Sequence, residues 1–365
     1  MHTPLHDLID HGQSPWVDYL SRPFVHEGHL GRLVDAGIRG VTSNPTIFAD
    51  AIAEGDSYDA QLRDVLREDT DPKEAFLALA STDVRDACDL LRPLFGAGRR
   101  DGWVSLEVDP RLADDTDATV AEATRLRDLV DRPNLMVKIP GTTAGLPAIE
   151  ETIAHGVPVN VTLLFSLARH RAAGHAYLRG LRRLLRDGGD PRSVASVASF
   201  FVSRVDTEAD RRLDRVGGHD ELKGTLGVAN AKLAYQNYLN VFSGPDWAEL
   251  AEAGATPQRC LWASTSMKAP DRPDVWYAEQ LVGPDTVDTM PRQTVEAFAD
   301  HGTVANTLVR GVDEAQRTLQ AFGSAGVDYD DVTAVLEREG VERFSASFHK
   351  VFDGIAAKRD ELLHA

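Results

Sequence analysis

Eight short apolar segments recur along the chain, and most of them are followed by a stretch with the residue spacing of an amphipathic helix. Strands that alternate with helices form a parallel sheet whose faces the helices cover. Such strands are buried on both sides, which explains continuous apolar runs such as LMVKI and VNVTLLF. Eight strand–helix units are the number that closes a (β/α)8 (TIM) barrel. The predicted strands are Trp16–Leu20, Gly40–Pro45, Val104–Val108, Leu135–Pro140, Val157–Leu164, Val194–Phe201, Cys260–Ser264 and Thr286–Met290.

An open, doubly wound sheet is the alternative arrangement of the same units. It usually has a glycine-rich phosphate-binding turn after its first strand, whereas the first strand here runs into YLSRP, which contains no glycine. Additional helices are predicted in an insertion at about residues 50–98 and in an extension at about residues 312–365. Because the chain has no internal repeat and no low-complexity linker, we predict one TIM-barrel domain over residues 1–365.

The charge and the cysteine count exclude several classes of protein. A net charge of −18 at pH 7 disfavours nucleic-acid binding, and the basic segment Arg179–Arg186 has the spacing of an exposed helix face. No apolar run is long enough to span a membrane, and residues Met1–Ser14 lack the pattern of a secretory signal. The two cysteines, Cys88 and Cys260, suit the reducing cytoplasm. We therefore predict a cytoplasmic protein, as a monomer or a homodimer.

The sequence shows no pattern for a metal or a nucleotide cofactor. The histidines are scattered, and the pair His170 and His175 is five residues apart, which places the two on different faces of a helix. We predict His170 to be a surface residue. No Walker or dinucleotide-binding glycine motif is present. The prediction is a protein without metal and without cofactor.

Lys138 is the residue with the clearest chemical implication. It lies in the apolar strand Leu135–Pro140, although lysine is uncommon in strands and is rarely buried. Apolar surroundings favour a neutral amine, which can attack a ketone and form a Schiff base. The alternative is a lysine that points outward from an edge strand or extends its amine to water.

Polar residues lie in or directly after seven of the eight predicted strands. In a TIM barrel the carboxyl ends of the strands form the active site, whereas a purely structural core avoids polar atoms that need partners. Asn160 and Thr162 share one face of their strand because they are two residues apart, as do Glu107 and Asp109. The polar set comprises Asp18, Asn44, Glu107, Asp109, Lys138, Asn160, Thr162, Ser199, Ser264 and Ser266.

Five segments resemble, in order and spacing, the signature segments of transaldolases: GVTSNPTIF, VSLEVDPRL, LMVKIPGTTAGL, VNVTLLFSL and SVASFFVSRVD. The resemblance runs from about Trp16 to His301, and the tail is similar to that of the longer actinobacterial-type members. It implies a (β/α)8 barrel of the class I aldolase type with extra helices. It also implies a cofactor-independent transferase of the pentose phosphate pathway.

The resemblance implies catalytic roles for four residues. Lys138 matches the lysine that forms the Schiff base, and Asp18 matches the acid/base that moves the proton during carbon–carbon cleavage. Glu107 matches the carboxylate that, through a water held near Thr162, drives the dehydration step.

Substrate-binding roles are implied in the same way. Asn44 and Asn160 match residues that hold the substrate hydroxyls, and Ser199 matches a contact to the terminal hydroxyl of the dihydroxyacetone unit. Arg204 matches a phosphate-binding arginine. Without the resemblance, a helix-face arginine paired with a nearby aspartate, Asp206 or Asp210, is the favoured explanation of Arg204.

The sequence departs from the family pattern near the expected phosphate site. Short bacterial members carry a second phosphate-binding arginine after strand seven, where this chain reads WASTSMK. Ser264 keeps a matching serine, and Lys268 is the candidate replacement for the charge. Strand two reads TSNP rather than the commoner TTNP, and the loop containing Thr143 lacks a basic residue. These departures leave phosphate affinity and acceptor choice open.

We predict transfer of a dihydroxyacetone unit from sedoheptulose 7-phosphate or fructose 6-phosphate to glyceraldehyde 3-phosphate or erythrose 4-phosphate. A fructose-6-phosphate aldolase is an alternative, but those enzymes carry glutamine and tyrosine where this chain has Glu107 and Phe201. The departures near Thr143 and Ser266 also allow a specialised biosynthetic transaldolase with an unusual sugar phosphate. A barrel without catalysis is disfavoured because the proposed catalytic set is intact.

Overall fold

A closed barrel of eight parallel strands forms the centre of the protein. The computed structural model describes residues 2–43, 45–53, 55–66, 70–96, 98–267 and 272–364. The strands are paired in chain order, and the last strand pairs with the first, so the TIM barrel is confirmed and the open sheet is excluded. The strands are β1 (Gln13–Asp18), β2 (Gly40–Thr42), β3 (Trp103–Glu107), β4 (Leu135–Pro140), β5 (Val159–Leu164), β6 (Ser196–Phe201), β7 (Arg259–Ala263) and β8 (Thr286–Met290).

Helices surround the barrel and also fill the two regions where extra helices are predicted. In the described ranges these helices are α1 (Pro4–Asp10), α2 (Arg22–His26), α3 (His29–Asp35), α4 (Pro45–Ala53), α5 (Asp59–Val65), α6 (Pro72–Leu91), α7 (Thr116–Val130), α8 (Gly145–Ala154), α9 (Leu167–Arg186), α10 (Ser203–Val216), α11 (Leu226–Val241), α12 (Pro245–Glu252), α13 (Trp276–Gln280), α14 (Arg292–His301), α15 (Val312–Ser324) and α16 (Tyr329–His364). None of the described helices is long and apolar enough to cross a membrane.

Six of the eight predicted strands differ from the structure in at least one bound, and β1 and β2 differ most. Strand β1 begins and ends earlier than predicted, and it ends before Ser21, which accepts a hydrogen bond from the backbone N–H of Phe24 and caps the start of α2. Strand β2 ends at Thr42, and Pro45 is already the first residue of α4. A proline suits the first turn of a helix, where its missing N–H is not needed. At the ends of both predicted strands, the last residues belong to turns and not to the strand.

Large apolar side chains fill the lower layer of the barrel, which is the layer nearer the amino ends of the strands. Trp16 of β1 is fully buried, and its indole lies where a side chain of Gly40 in β2 would be, since a Cβ there would come within 2.4 Å of the ring. Side chains two residues apart on a strand share a face. The residue two positions after each of these apolar residues therefore lies in the upper layer, nearer the carboxyl ends of the strands, where the polar groups lie. The lower layer includes Trp16, Trp103, Met136, Val197, Leu261 and Val287.

Helix α16 lies over the carboxyl end of the barrel. Its start is capped by Asp328, whose carboxylate accepts hydrogen bonds from the backbone N–H groups of Asp330 and Asp331. Farther along, Gly340 lies so close to β5 that a Cβ would be 3.0 Å from Leu163. Leu163 has φ 58° at a register shift in β5. This bulge turns the leucine toward α16.

The exposed face predicted for the basic segment of α9 is confirmed. Arg179 pairs with Glu150, while Leu181 on the other face of the helix is buried.

The prediction for His170 is wrong, because this histidine is only 5% exposed. It belongs to the first turns of α9, which pack on the barrel, and its Nε2 lies 3.6 Å from the Cys260 Sγ. Its ring also contacts Phe200 edge-on. Burial lowers the pKa of His170 to about 4, so the imidazole is neutral at pH 7.

Candidate active site

A cavity of about 310 Å³ opens at the carboxyl ends of the strands. We call it the reaction cavity. A position at this end of the barrel is where TIM-barrel enzymes carry their active sites. Of the predicted polar residues it collects Asp18, Lys138, Thr162, Ser199, Arg204, Ser264 and Ser266.

The remaining predicted site residues have different positions. Glu107 and Asn160 lie beside the cavity, in contact with residues that line it. Asp109 does not line it and instead pairs with Lys73 and Arg111. Asn44 and Lys268 lie outside the described residues, so their predicted roles stay predictions.

The register of three neighbouring strands places the amine of Lys138 inside the barrel. Glu107 of β3, Lys138 of β4 and Asn160 of β5 are aligned across the sheet. Lys138 is 5% exposed, which excludes the alternative of an outward-pointing lysine. Its surroundings are more polar than the sequence indicates: Nζ lies 3.1 Å from the Glu107 carboxylate and donates a hydrogen bond to the backbone oxygen of Ser43.

The carboxyl group of Glu107 is buried with only 4% exposure. Burial raises its pKa, and the nearby Lys138 ammonium is the strongest influence in the opposite direction. Within the described residues, Glu107 Oε1 and Thr162 Oγ1 have no hydrogen-bond partner. Buried polar atoms are normally hydrogen-bonded, so both oxygens are available to a substrate or to a water molecule.

Two threonines orient the carboxylate of Asp18. The Thr42 hydroxyl donates to Asp18 Oδ1 at 2.8 Å, and the hydroxyl oxygens of Thr42 and Thr289 are 2.7 Å apart. A hydroxyl has one proton to donate, so Thr289 donates to Thr42. This chain links β8, β2 and β1. Neither threonine stands out in the sequence, because threonine is common in strands.

A second chain of hydrogen bonds holds Ser199. Its hydroxyl donates to Asn160 Oδ1 at 2.6 Å, and the Asn160 amide donates to the hydroxyl of Ser105 at 3.0 Å. Asn160 is fully buried and does not line the cavity. In this arrangement Asn160 fixes the orientation of Ser199, which faces the cavity.

Arg204 provides positive charge at the rim of the cavity. Its guanidinium lies 4.9 Å from the centre of the Phe201 ring and 5.9 Å from that of Phe344. It has no ion pair with any described residue, and Asp206 and Asp210 instead accept hydrogen bonds from backbone N–H groups. The helix-face alternative is therefore wrong. Burial is the main cause that lowers the pKa of Arg204.

Phe344 of α16 closes one side of the cavity, and sequence reasoning did not identify it. Its ring centre lies 5.2 Å from the Nζ of Lys138. An aromatic residue on the apolar face of an amphipathic helix is normally interpreted as a core residue, so no local signal identifies Phe344 as a cavity residue. The C-terminal extension thus contributes to the cavity.

Comparisons with known proteins agree with this geometry. Residues 15–355 match the family model described as Transaldolase/Fructose-6-phosphate aldolase. The chain is 51% identical over 361 residues to a transaldolase of Thermobifida fusca, covering 98% of each chain. It is also 51% identical over 352 residues to a transaldolase of Acidothermus cellulolyticus, covering 95% of each chain. The chain belongs to the transaldolase/fructose-6-phosphate aldolase family.

Proposed function

We propose that this protein is a transaldolase. It transfers a dihydroxyacetone unit from sedoheptulose 7-phosphate or fructose 6-phosphate to glyceraldehyde 3-phosphate or erythrose 4-phosphate. The observation that carries the proposal is the buried amine of Lys138, which faces a cavity that also contains a carboxylate, Asp18, and a guanidinium, Arg204. The near full-length similarity to proteins named transaldolase supports it.

The first step forms the Schiff base. Glu107 accepts a proton from the ammonium of Lys138, since the two groups are in contact and burial favours the protonated carboxyl. The neutral amine attacks the C2 ketone of the donor and forms a carbinolamine. Glu107 returns a proton, through a water that Thr162 positions, to the hydroxyl that leaves as water. The product is a protonated imine on Lys138.

The second step breaks the C3–C4 bond. The Asp18 carboxylate takes the proton of the C4 hydroxyl, and the electrons of the C3–C4 bond move to the iminium. The hydrogen bond from Thr42 holds the Asp18 carboxylate in position for this transfer. The aldose phosphate leaves, and the three-carbon enamine remains on Lys138. The acceptor aldehyde then reacts with the enamine by the reverse sequence.

Substrate binding uses the polar rim. Ser199 holds the terminal hydroxyl of the three-carbon unit, and Arg204 binds the phosphate. Ser264 lines the same side of the cavity, and its hydroxyl contacts that of Ser203 at 2.8 Å. Asn44 is proposed to hold substrate hydroxyls, and Lys268 is one candidate for the second positive charge at the phosphate.

Glu107, whose carboxyl group lies beside the Lys138 amine, also favours a transaldolase over a fructose-6-phosphate aldolase. A fructose-6-phosphate aldolase carries glutamine and tyrosine at the positions of Glu107 and Phe201 in the resemblance described above. Phe201 lines the reaction cavity here, beside Arg204. A phenyl ring offers no hydroxyl that could orient a water to end the cycle.

The experiment that tests the function traps the imine. The protein is incubated with fructose 6-phosphate, treated with borohydride, and digested for mass spectrometry. We expect a reduced three-carbon adduct on Lys138 that Lys138→Ala abolishes and that Lys73→Met, a lysine paired with Asp109 outside the cavity, leaves intact.

The outcomes separate the alternatives. Addition of excess erythrose 4-phosphate before borohydride lowers the amount of three-carbon adduct on a transaldolase, because the acceptor takes up the three-carbon unit. An adduct only with another ketose phosphate favours the specialised biosynthetic enzyme. The absence of an adduct with any ketose phosphate, in a folded protein, refutes the enzymatic function.

The proposed location is the cytoplasm, and the proposed assembly is a monomer or a homodimer. Both Cys88 and Cys260 are buried free thiols, which is the state that a reducing compartment maintains. Light scattering of the purified protein measures the assembly.

A further inference from the structure

A second cavity adjoins the reaction cavity. Its volume is about 460 Å³, and we call it the outer cavity. It lies between α10 and α16, and it shares Arg204 and Ser264 with the reaction cavity. Arg204 therefore stands at the boundary between the two spaces. On the side of α16 the outer cavity is lined by Arg343, next to Glu339.

Phe344, the next residue in α16, fixes the position of Arg343. Phe344 is buried, and its ring faces the cations of both Lys138 and Arg204. This contact holds one turn of α16 at the mouth of the reaction cavity. Arg343, one residue earlier, lies at the rim, close enough for its charge to contribute to lowering the pKa of Arg204.

The positive charges of the two arginines are not fully neutralised by carboxylates, so an anion can bind between them. Arg204 has no carboxylate partner in the described part of the chain, and Arg343 pairs with Glu339, one turn earlier on the same helix. The Arg343 side chain is 63% exposed, and an exposed pair within a helix contributes little stability. Two guanidinium groups that face one space bind a phosphate dianion through charge-assisted hydrogen bonds.

The distance from the amine suits a sugar phosphate. Lys138 and Arg204 face the same ring, at 5.2 Å and 5.9 Å from its centre, so their separation cannot exceed the sum of these distances. The carbon chain of a hexose phosphate spans a distance of this order between its ketone and its phosphate. A donor held by Lys138 at one end thus places its phosphate beside Arg204, at the entrance to the outer cavity.

We propose that Arg343 of α16 binds the substrate phosphate together with Arg204 and supplies the second guanidinium of the phosphate site. The inference rests on the proposed function, and it explains the segment after β7, which lacks the arginine found in short relatives. It differs from the prediction for Lys268, which assigns the second charge to that loop.

The test compares Arg343→Ala with a matched control, Arg338→Ala. Arg338 is on the same helix, is 64% exposed, and faces Glu342 rather than the cavity. With sedoheptulose 7-phosphate as the saturating donor, steady-state kinetics are measured with glyceraldehyde 3-phosphate and with unphosphorylated glyceraldehyde as acceptors. Inorganic phosphate is the probe of the isolated site, as a competitive inhibitor.

Arg343→Ala is expected to raise the KM for the phosphorylated acceptor and the inhibition constant of phosphate about tenfold, the effect of losing one charged hydrogen bond. The values for glyceraldehyde and kcat stay within about twofold, and Arg338→Ala changes neither. Arg343→Lys, which keeps the charge and the exposed helix position, is expected to give an intermediate KM.

Three results overturn the proposal. The first is equal behaviour of Arg343→Ala and Arg338→Ala. The second is an equal effect on both acceptors, which indicates a structural role of α16. The third is a phosphate-specific loss in Lys268→Ala but not in Arg343→Ala. The borohydride adduct on Lys138 is measured in every variant, so that a failure of the proposed function is recognised separately.

Discussion

Replacement of Lys138 by methionine tests whether the buried ion pair is as tightly coupled as the geometry indicates. Methionine keeps most of the length and volume of the side chain but removes the ammonium that lies 3.1 Å from Glu107. The Lys138 charge is the main influence that lowers the pKa of Glu107 against the effect of burial. In Lys138→Met the Glu107 pKa is therefore expected to rise further.

The sign and size of the effect follow from this shift. A carboxyl group with a raised pKa in the folded state contributes stability at low pH and loses it as the pH rises. The variant should match the wild type most closely at low pH and then lose up to about 1.4 kcal/mol per pH unit. An unpaired buried charge costs about 3–5 kcal/mol in total, so the loss extends over about two to four pH units.

The assay is urea unfolding followed by circular dichroism between pH 5 and pH 8. Glu107→Gln in the Lys138→Met background removes the ionisable group, and this double variant is expected not to show the loss of stability with rising pH that Lys138→Met shows. A free-energy difference that is constant over this pH range, or that persists in the double variant, refutes the coupling.

Three further predictions concern other parts of the barrel. Thr42→Val removes the hydrogen bond to Asp18 and should lower kcat about tenfold with the fold unchanged, as steady-state kinetics would show; an unchanged kcat contradicts the positioning role. Burial raises the pKa of Asp288 in β8 to about 7, so its contribution to stability is present below about pH 4 and lost as the pH rises through 7. Asp288→Asn should therefore be more stable relative to wild type at pH 9 than at pH 5, by roughly 3 kcal/mol in urea unfolding, and parallel pH profiles would exclude this. Gly145→Ala places a Cβ 1.9 Å from a backbone oxygen at the end of β4 and should cost about 1–3 kcal/mol, whereas Gly323→Ala in α15, with open space around it, should not destabilise. Thermal unfolding of this pair decides between a steric effect and a general effect of alanine.

The strands could be predicted where turn residues mark both ends of an apolar run. Strands β4 and β8 have the predicted bounds, Leu135–Pro140 and Thr286–Met290. The predicted end of β1 lies too far along the chain, because Tyr19 and Leu20 are apolar but precede the helix cap at Ser21. Hydrophobicity alone does not distinguish a strand end from an apolar turn that packs on the core.

The site could be predicted in part for a similar reason. Lys138 and Glu107 are conspicuous because charged residues are uncommon in buried strands. Thr42 and Thr289 are not, since threonine favours strands whether or not it faces a cavity. The surface prediction for His170 fails because the helical pattern of α9 does not show which polar residue faces the barrel. Contacts such as that between Phe344 and Lys138 join distant parts of the chain and have no local signature.

The position of Phe344 has a consequence for how the protein is made. Asp18 leaves the ribosome before the other strands of the barrel, whereas Phe344 follows more than fifty residues after the last barrel strand, which ends at Met290. The barrel can therefore close during synthesis while the amine of Lys138 is still uncovered on the side that α16 later occupies. A chain cut short before Phe344 would retain every strand but leave the amine of Lys138, the proposed nucleophile, without the cover of this ring. Synthesis of α16 thus coincides with the covering of the proposed nucleophile.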